Sequence, residues 1–414
     1  MGTASRLHLL PRVTALAVLA ALLAPAKARP QEPNGPPAQM RYRLLGAGPI
    51  RIPFEIYNGE IRFSCELNGR PVRMLLDDGF MWDELQLWGS DLSEFGLRYT
   101  RELPPIGSTG GPPSRLAEGI TLRLPGIEFT NETAIVSPPG SWYERAFAGS
   151  VGQVSGTFLK GFAVSIDFDE MVITLTPPET FHYTGGGRAV PWEPLGFGPW
   201  GIPVTLGLPG GRRVEMRVLL DLGYNDQLQL VTADSHALAM PDTTLVTNVV
   251  RGTGRAETFH LGRLPSVTMG GYRVENVLAS FLAPGHTTMV FREAMLGLNL
   301  LSRFNVVYDY RDRLIYLEPN RRFAEPFEYA MTGFSVRQRE GGVHEIIQIH
   351  RGSPADSAGL AVGDLITRVN GRPVGDFGPA ELGALWRRVG AIVDLEVSRG
   401  GATREVRLRL RRLI

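Results

Sequence analysis

Apolar residues along this chain come in short runs bounded by glycine, proline and polar pairs. In places they alternate strictly with polar ones, as in "IRFSCEL" at 61 to 67 and "REVRLRLRRLI" at 404 to 414. Period two is the pattern of a strand with one buried face. In the last segment Val406, Leu408 and Leu410 point inward and the arginines form a solvated face, a better account than a membrane or nucleic-acid surface. Forty-nine glycines and thirty-one prolines fall between such runs, which predicts a mainly β chain of many short strands joined by turns. One strand-like run ends abruptly: in "RMLLDDGFMWDELQL", 73 to 87, apolar residues drive into Asp77, Asp78 and a glycine.

The same plan occurs twice. "NGRPVRMLLDDGFMWDELQL" (68 to 87) and "GGRRVEMRVLLDLGYNDQLQL" (210 to 230) share a basic turn, a strand ending in Leu-Leu-Asp-x-Gly and a second strand ending in Leu-Gln-Leu. Asp77 thus corresponds to Asp221 and Gly79 to Gly223. Downstream, "PIGSTGG" (105 to 111) matches "VRGTGR" (250 to 255), and "RLPGIEFTNETAIV" matches "TMGGYRVENVLASF". Those last two segments predict hairpins turning at Pro125-Gly126 and Gly270-Gly271. "VSGTFLKGFAVSIDFDEMVITL" (154 to 175) matches "MLGLNLLSRFNVVYDYRDRLIYL" (295 to 317), with a helical turn expected at Phe158-Leu159 and Leu300-Leu301. Lobes at 47–180 and 188–320 follow, separated by a proline- and glycine-rich stretch.

At the N-terminus Arg6 and Arg12 precede "VTALAVLAALLA", a run too short to span a bilayer, and "AKA" at 26 to 28 offers a cleavage site. The expectation is a signal peptide at 1–28, a proline-rich linker at 29–46, and an exported chain, periplasmic or secreted, with no stable transmembrane segment once mature. A net charge of +1 gives no reason to expect a nucleic-acid partner. Cys65 is the only cysteine, so no intrachain disulfide is possible, and its place in an alternating strand makes it a core residue. The seven histidines form no metal motif, so neither a metal nor another cofactor is expected.

"LLDDG", "GSTGG" and "VSGTFL" in the first copy, and "LLDLG", "RGTG" and "MLGLNLL" in the second, resemble the retropepsin-like and pepsin-like aspartic peptidases. The resemblance spans roughly residues 47 to 318. It implies two homologous acid-protease β-barrel lobes forming a pseudo-dimer within one chain, so that a monomer suffices for an Asp77/Asp221 dyad. Two carboxyls within hydrogen-bond range cannot both ionise; one activates water while the other polarises a peptide carbonyl. Gly79 and Gly223 would let the chain turn beside them. Gly107, Thr109 and Gly110 in one lobe, with Gly252 and Gly254 in the other, would be flaps over an extended polypeptide substrate. The family's Thr or Ser after each aspartate, whose hydroxyl ties the two loops together, is replaced by Asp78 and Leu222. The expectation is that neither reproduces the tie, and that Asp78 adds a negative charge that raises the dyad's pKa values.

"SPADSAGLAVGDLITRVNGRPV", 353 to 374, closely resembles a PDZ domain, implying a β-rich module with two short helices over 327–414. Pro354 would open a helix, Gly359 end it, and Asn370-Gly371 make a tight turn. By the same resemblance Gly333, Phe334, Ser335 and Val336 would receive a C-terminal peptide or an exported protein. Leu382, Leu385, Trp386 and Val389 would lie on the helix forming the other wall, mostly facing the core.

"GSTGGP" at 107 to 112 superficially suggests a serine protease, but Thr109 stands at the nucleophile position and only His8 precedes it. Two readings remain beside the aspartic endopeptidase: a catalytically inactive polypeptide-binding protein, favoured by Asp78 and Leu222, and tandem lobes serving as scaffold alone.

Overall fold

The computed structural model describes residues 42–46, 49–57, 59–79, 84–90, 92–104, 112–195, 200–232, 238, 240–242, 244–250, 256–282 and 294–414. The expected signal peptide lies outside these residues. So do both glycine-rich loops, with Gly107, Thr109, Gly110, Gly252 and Gly254.

Each copy of the repeat closes into a six-stranded barrel. In the first, the strands Glu60–Leu67, Arg70–Asp77, Gly152–Ser155, Leu85–Leu87, Ile127–Val136 and Ser114–Leu124 are joined edge to edge in that order. Pairing of Leu67 with Leu122 shuts the ring. In the second, Trp200–Gly207, Arg213–Asp221, Ala294–Gly297, Leu228–Val231, Tyr272–Leu282 and Ala256–Met269 follow the same order, and Val204 pairs with Met269.

Local chemistry explains the strands. Asn68 and Gly69 both have positive φ, 49° and 79°, the conformation of a two-residue hairpin turn whose twist matches the strands it joins. Ile61, Phe63, Cys65 and Leu67 fill the first barrel. Burial pushes the Cys65 thiol up to about 12, so it is an inert core group. The expected hairpins turn at Pro125-Gly126 and Gly270-Gly271. The expected helical turns form at Thr157–Leu159 and Leu298–Leu301.

Beneath the barrels one six-stranded sheet joins them. Its order is Arg188–Pro191, Leu314–Pro319, Phe304–Asp309, Ala163–Asp167, Val172–Thr176 and Ile50–Tyr57. The central pair, Ala163 against Asp309 and Val164 against Tyr308, brings a hairpin of one copy against that of the other. A single apolar core runs through both lobes.

A separate sheet follows, ordered Phe334–Gln338, His344–Ile349, Leu365–Val369, Ile392–Arg399 and Ala402–Arg409. Its core includes Phe334, Ile346, Trp386, Val393, Val406, Leu408 and Leu410. The helix Pro354–Ser357 is capped by the Ser353 hydroxyl, which accepts from Asp356 N at 3.2 Å. The second helix is Pro379–Trp386. Val389 lies beyond that helix and is half exposed, so it does not share the core-facing helical row of Leu382 and Trp386; the chain leaves helical geometry after Trp386. Arg263 of the second lobe anchors this module, donating to Phe327 O at 3.1 Å and Ile414 O at 3.2 Å. Ile414 N donates to the Tyr329 hydroxyl at 2.7 Å.

Candidate active site at the junction of the lobes

The strands Arg70–Asp77 and Arg213–Asp221 each run parallel to a short strand of their own barrel, with Asp77 beside Ser155 and Asp221 beside Gly297. The register differs from the sequence alignment by one position: Gly297 is matched by Ser155, while Gly156 follows it. Ser155 accounts for the shift, because its hydroxyl accepts from Phe158 N at 3.0 Å and starts the helical turn one residue later.

Both chains bend away after the aspartate through Gly79 and Gly223, and the two bends meet reciprocally. A Cβ on Gly79 would lie 2.2 Å from Asp221 Cγ, and one on Gly223 would lie 2.4 Å from Asp77 Cγ. Each carboxyl is therefore packed on the opposite loop's glycine, where no larger residue fits. Gln153 Nε2 donates to Asp77 Oδ2 at 3.0 Å, and Gly223 N donates to Asp221 Oδ1 at 3.0 Å. Asp221 is buried and Asp77 is part-buried.

Asp78 behaves otherwise than the sequence suggests. Its Oδ1 accepts a hydrogen bond from the backbone N–H of Leu222 in the opposite loop. One half of the inter-loop tie therefore exists, made by a carboxyl where a hydroxyl was expected. Burial, partly offset by that bond, pushes Asp78 up to about 7, with Asp221 adding to the rise. Two tyrosines of the second lobe lie beneath it. The Tyr310 hydroxyl donates to Gly156 O at 2.8 Å, and a Cβ on Gly156 would lie 2.6 Å from Asp78 Cβ. The Tyr308 hydroxyl is buried with no well-formed hydrogen bond among the described residues, and the Asp78 carboxyl is the charged group that bears on it most. In the first copy the sequence-equivalent positions are Ile166 and Phe168, both apolar and in the core with Leu222. The exchange after each aspartate is thus matched underneath: a carboxyl over hydroxyls in one half, leucine with apolar partners in the other.

Glu60 is a further carboxyl that sequence reasoning passed over. The register pairs Ile61 with Leu76, and one step further it sets Glu60 opposite Asp77. Glu60 is only 4% exposed. Burial first, then the neighbouring Asp77 and Asp221, push it up to about 9. Gln153 was also missed. Its signal was a polar residue in the buried run "GQVS", and that of Glu60 was its place on the strand hydrogen-bonded to the one that carries Asp77.

In the C-terminal module Phe334–Gln338 is an edge strand, paired on one side with His344–Ile349. Gly333 has φ +80°, and a Cβ there would meet Ser353 Cβ at 2.0 Å, so only glycine fits this entry to the strand. Phe334 is buried against Trp386, ring centroids 5.7 Å apart, while Ser335 and Val336 are half-buried along the strand.

Two barrels sharing a sheet, each presenting an aspartate at the junction, resemble the bilobed architecture of aspartic proteases. The module at the C-terminal side is a PDZ domain: residues 331–410 match the family model of that description. No curated protein compared with the chain matches it. Among the described residues no helix is long and apolar enough to cross a membrane.

Proposed function

We propose that the chain is an exported, single-chain aspartic endopeptidase whose PDZ domain recruits polypeptide substrate or a partner. The observation that carries this reading is the reciprocal packing of Gly79 on Asp221 and Gly223 on Asp77. It sets two carboxyls, one from each barrel, at a common junction. One carboxylate takes a proton from water while its protonated partner polarises the scissile carbonyl; water adds directly, with no covalent intermediate. Gln153 orients Asp77, and the Gly223 N–H orients Asp221. At the PDZ domain, the free edge of Phe334–Gln338 accepts a peptide as an added strand, with Gly333 at the entry.

The test is cleavage of a peptide mixture between pH 3 and 8 by the folded wild type, Asp77→Asn and Asp221→Asn. Each variant is expected to lose about 10²- to 10⁴-fold in rate, the range for removing a general acid or base. A wild type that cuts nothing, or a variant that cuts equally well, ends the assignment. The replacement of the second loop's hydroxyl by Leu222 favours a second reading, a noncatalytic binder of exported polypeptides; an inactive wild type that still captures peptides supports it.

A further inference from the structure

Away from the junction, the outer face of the second barrel carries a polar cavity. Along Trp200–Gly207 and Ala256–Met269, the residues Val204, Leu206, Val267 and Met269 are buried in the core, so alternation turns Thr205, Gly207, Ser266 and Thr268 to the outer face. There Thr205 pairs with Thr268 and Gly207 with Ser266. The next strand on either side adds an arginine: Arg213 stands opposite Gly207, and Arg273 opposite Thr268. These six residues line a cavity of 260 Å³. Arg213 begins the strand that ends at Asp221, about 26 Å further on at about 3.3 Å per residue, so the cavity is distinct from the aspartate site.

Two features make it a formed site and not a stretch of polar surface. Ser266 lies on the outward face yet is only 1% exposed, so it belongs to the cavity floor. Gly207 beside it has no room for a side chain: a Cβ there would lie 2.3 Å from Ser266 Oγ. Two acids share this face at its margins, Glu215 opposite Thr205 and Glu275 opposite Ser266, but neither lines the cavity. Arg273 engages Glu275 through Nε at 3.1 Å, a contact that does not use its two terminal nitrogens.

Hydroxyls and guanidinium groups can all donate to an anion, and arginine matches phosphate oxygens in pairs. We infer that this cavity binds a phosphate group, as the free ion or on a small phosphomonoester. Arg213 and Arg273 clamp it from opposite sides, while Thr205, Ser266 and Thr268 donate to its oxygens. Two guanidinium charges balance the roughly −1.5 to −2 that a phosphate monoester carries near neutral pH; a carboxylate would balance only one. The cavity is smaller than the about 300–1,000 Å³ of sites for drug-sized ligands, which keeps the ligand small. The inference stands apart from the peptidase reading.

Calorimetric titration of the full-length chain near neutral pH tests it, with orthophosphate and glycerol 3-phosphate as probes and glycerol and sodium chloride, at matched ionic strength, as controls. One saturable site is expected for at least one phosphate, and none for glycerol or chloride. Arg213→Ala, Arg273→Ala and Ser266→Ala should each raise Kd at least about tenfold, the loss of a hydrogen bond to a charged group. Arg217→Ala, on the same strand but paired with Glu193, should bind as the wild type does. Tighter binding of glycerol 3-phosphate than of orthophosphate identifies a monoester as the ligand; equal or weaker binding identifies the free ion. The inference is overturned if no phosphate binds saturably, if the arginine variants bind as the wild type does, or if Arg217→Ala loses as much as they do.

Discussion

The Asp78 carboxyl of the first lobe accepts the backbone N–H of Leu222 in the second, so the loops bearing Asp77 and Asp221 are joined directly across the junction of the lobes. Leu222 is buried, and the Asp78 carboxyl is the partner its backbone N–H finds across the junction. A carboxyl serves here because its proton is held: with its pKa pushed up to about 7, it is mostly neutral in acid, and a neutral carboxyl accepts and donates as a hydroxyl does.

Removing that bond should weaken both stability and chemistry. Asp78→Ala leaves a buried N–H unsatisfied, a loss of roughly 1–3 kcal/mol, and frees the loop that aims Asp77. A misplacement of about 1 Å costs roughly 10²-fold in rate. Asp78→Asn keeps an acceptor for Leu222 N–H and cannot ionise. The wild type is expected to lose activity as pH rises through about 7, when Asp78 becomes an anion beside Asp221. The Asn variant should lack that decline. Melting curves and pH–rate profiles of the three proteins check both effects.

The repeat makes the two-barrel architecture legible in the sequence. Two copies of strand, acid, glycine and hairpin already require two like barrels, and the alternation of Val406, Leu408 and Leu410 marked the buried face correctly, although the last strand ends at Arg409, before Leu410. What sequence could not give was which side chains meet across the junction. The inter-loop tie looked lost because Asp78 and Leu222 were judged as single replacements. Only the shared sheet shows that Tyr308 and Tyr310 stand under one of them while the equivalents Ile166 and Phe168 are apolar. Glu60 was obscure for a related reason: strand alternation tells which face a residue occupies, and closure of the barrel decides what lies across from it.

The glycines after the aspartates give a sharper test of the geometry than the aspartates do. Gly79→Ala places a methyl 2.2 Å from Asp221 Cγ, and Gly223→Ala one 2.4 Å from Asp77 Cγ. Neither distance is tolerable, so the carboxyl must move. Each variant is expected to lose about 10²-fold or more in kcat. Both are expected to bind a C-terminal peptide at the PDZ domain as the wild type does, since that sheet and its core are separate. Single-turnover cleavage beside a peptide-binding titration distinguishes the two effects.

Glu60 and Asp78 also make stability depend on pH in a defined direction. Both folded-state pKa values lie above the ordinary ones, so the folded protein binds more protons than the unfolded chain and loses stability as pH rises. For Glu60 the loss begins near 4.5 and is complete near 9. Glu60→Gln, which keeps the shape without the ionisation, should melt close to the wild type at pH 4 and clearly above it at pH 8. Scanning calorimetry across that range gives the answer, and a gap that fails to widen with pH would show that Glu60 is ionised in the folded protein.

The PDZ domain carries a carboxylate of the opposite kind. Asp364 is 1% exposed and grips Arg399 through two bonds, 2.5 Å from Nε and 2.7 Å from the terminal nitrogen. Burial alone would raise its pKa, but Arg399, the Ala361 N–H and Arg404 together hold it below the usual carboxylate value of 3.8. The stabilisation is therefore fully present above 3.8 and lost as pH falls through the lower folded value. Arg399→Ala leaves the buried charge with Ala361 N–H and the more distant Arg404, 3.9 Å away. Breaking a fully buried pair costs about 3–5 kcal/mol, and Arg399 is half exposed, so about 2 kcal/mol is expected at pH 7. That loss should shrink as pH falls below 3.8 and Asp364 takes up a proton. Urea unfolding of the full-length chain, followed by Trp386 fluorescence with the five other tryptophans replaced by phenylalanine, would measure both the loss and its disappearance in acid.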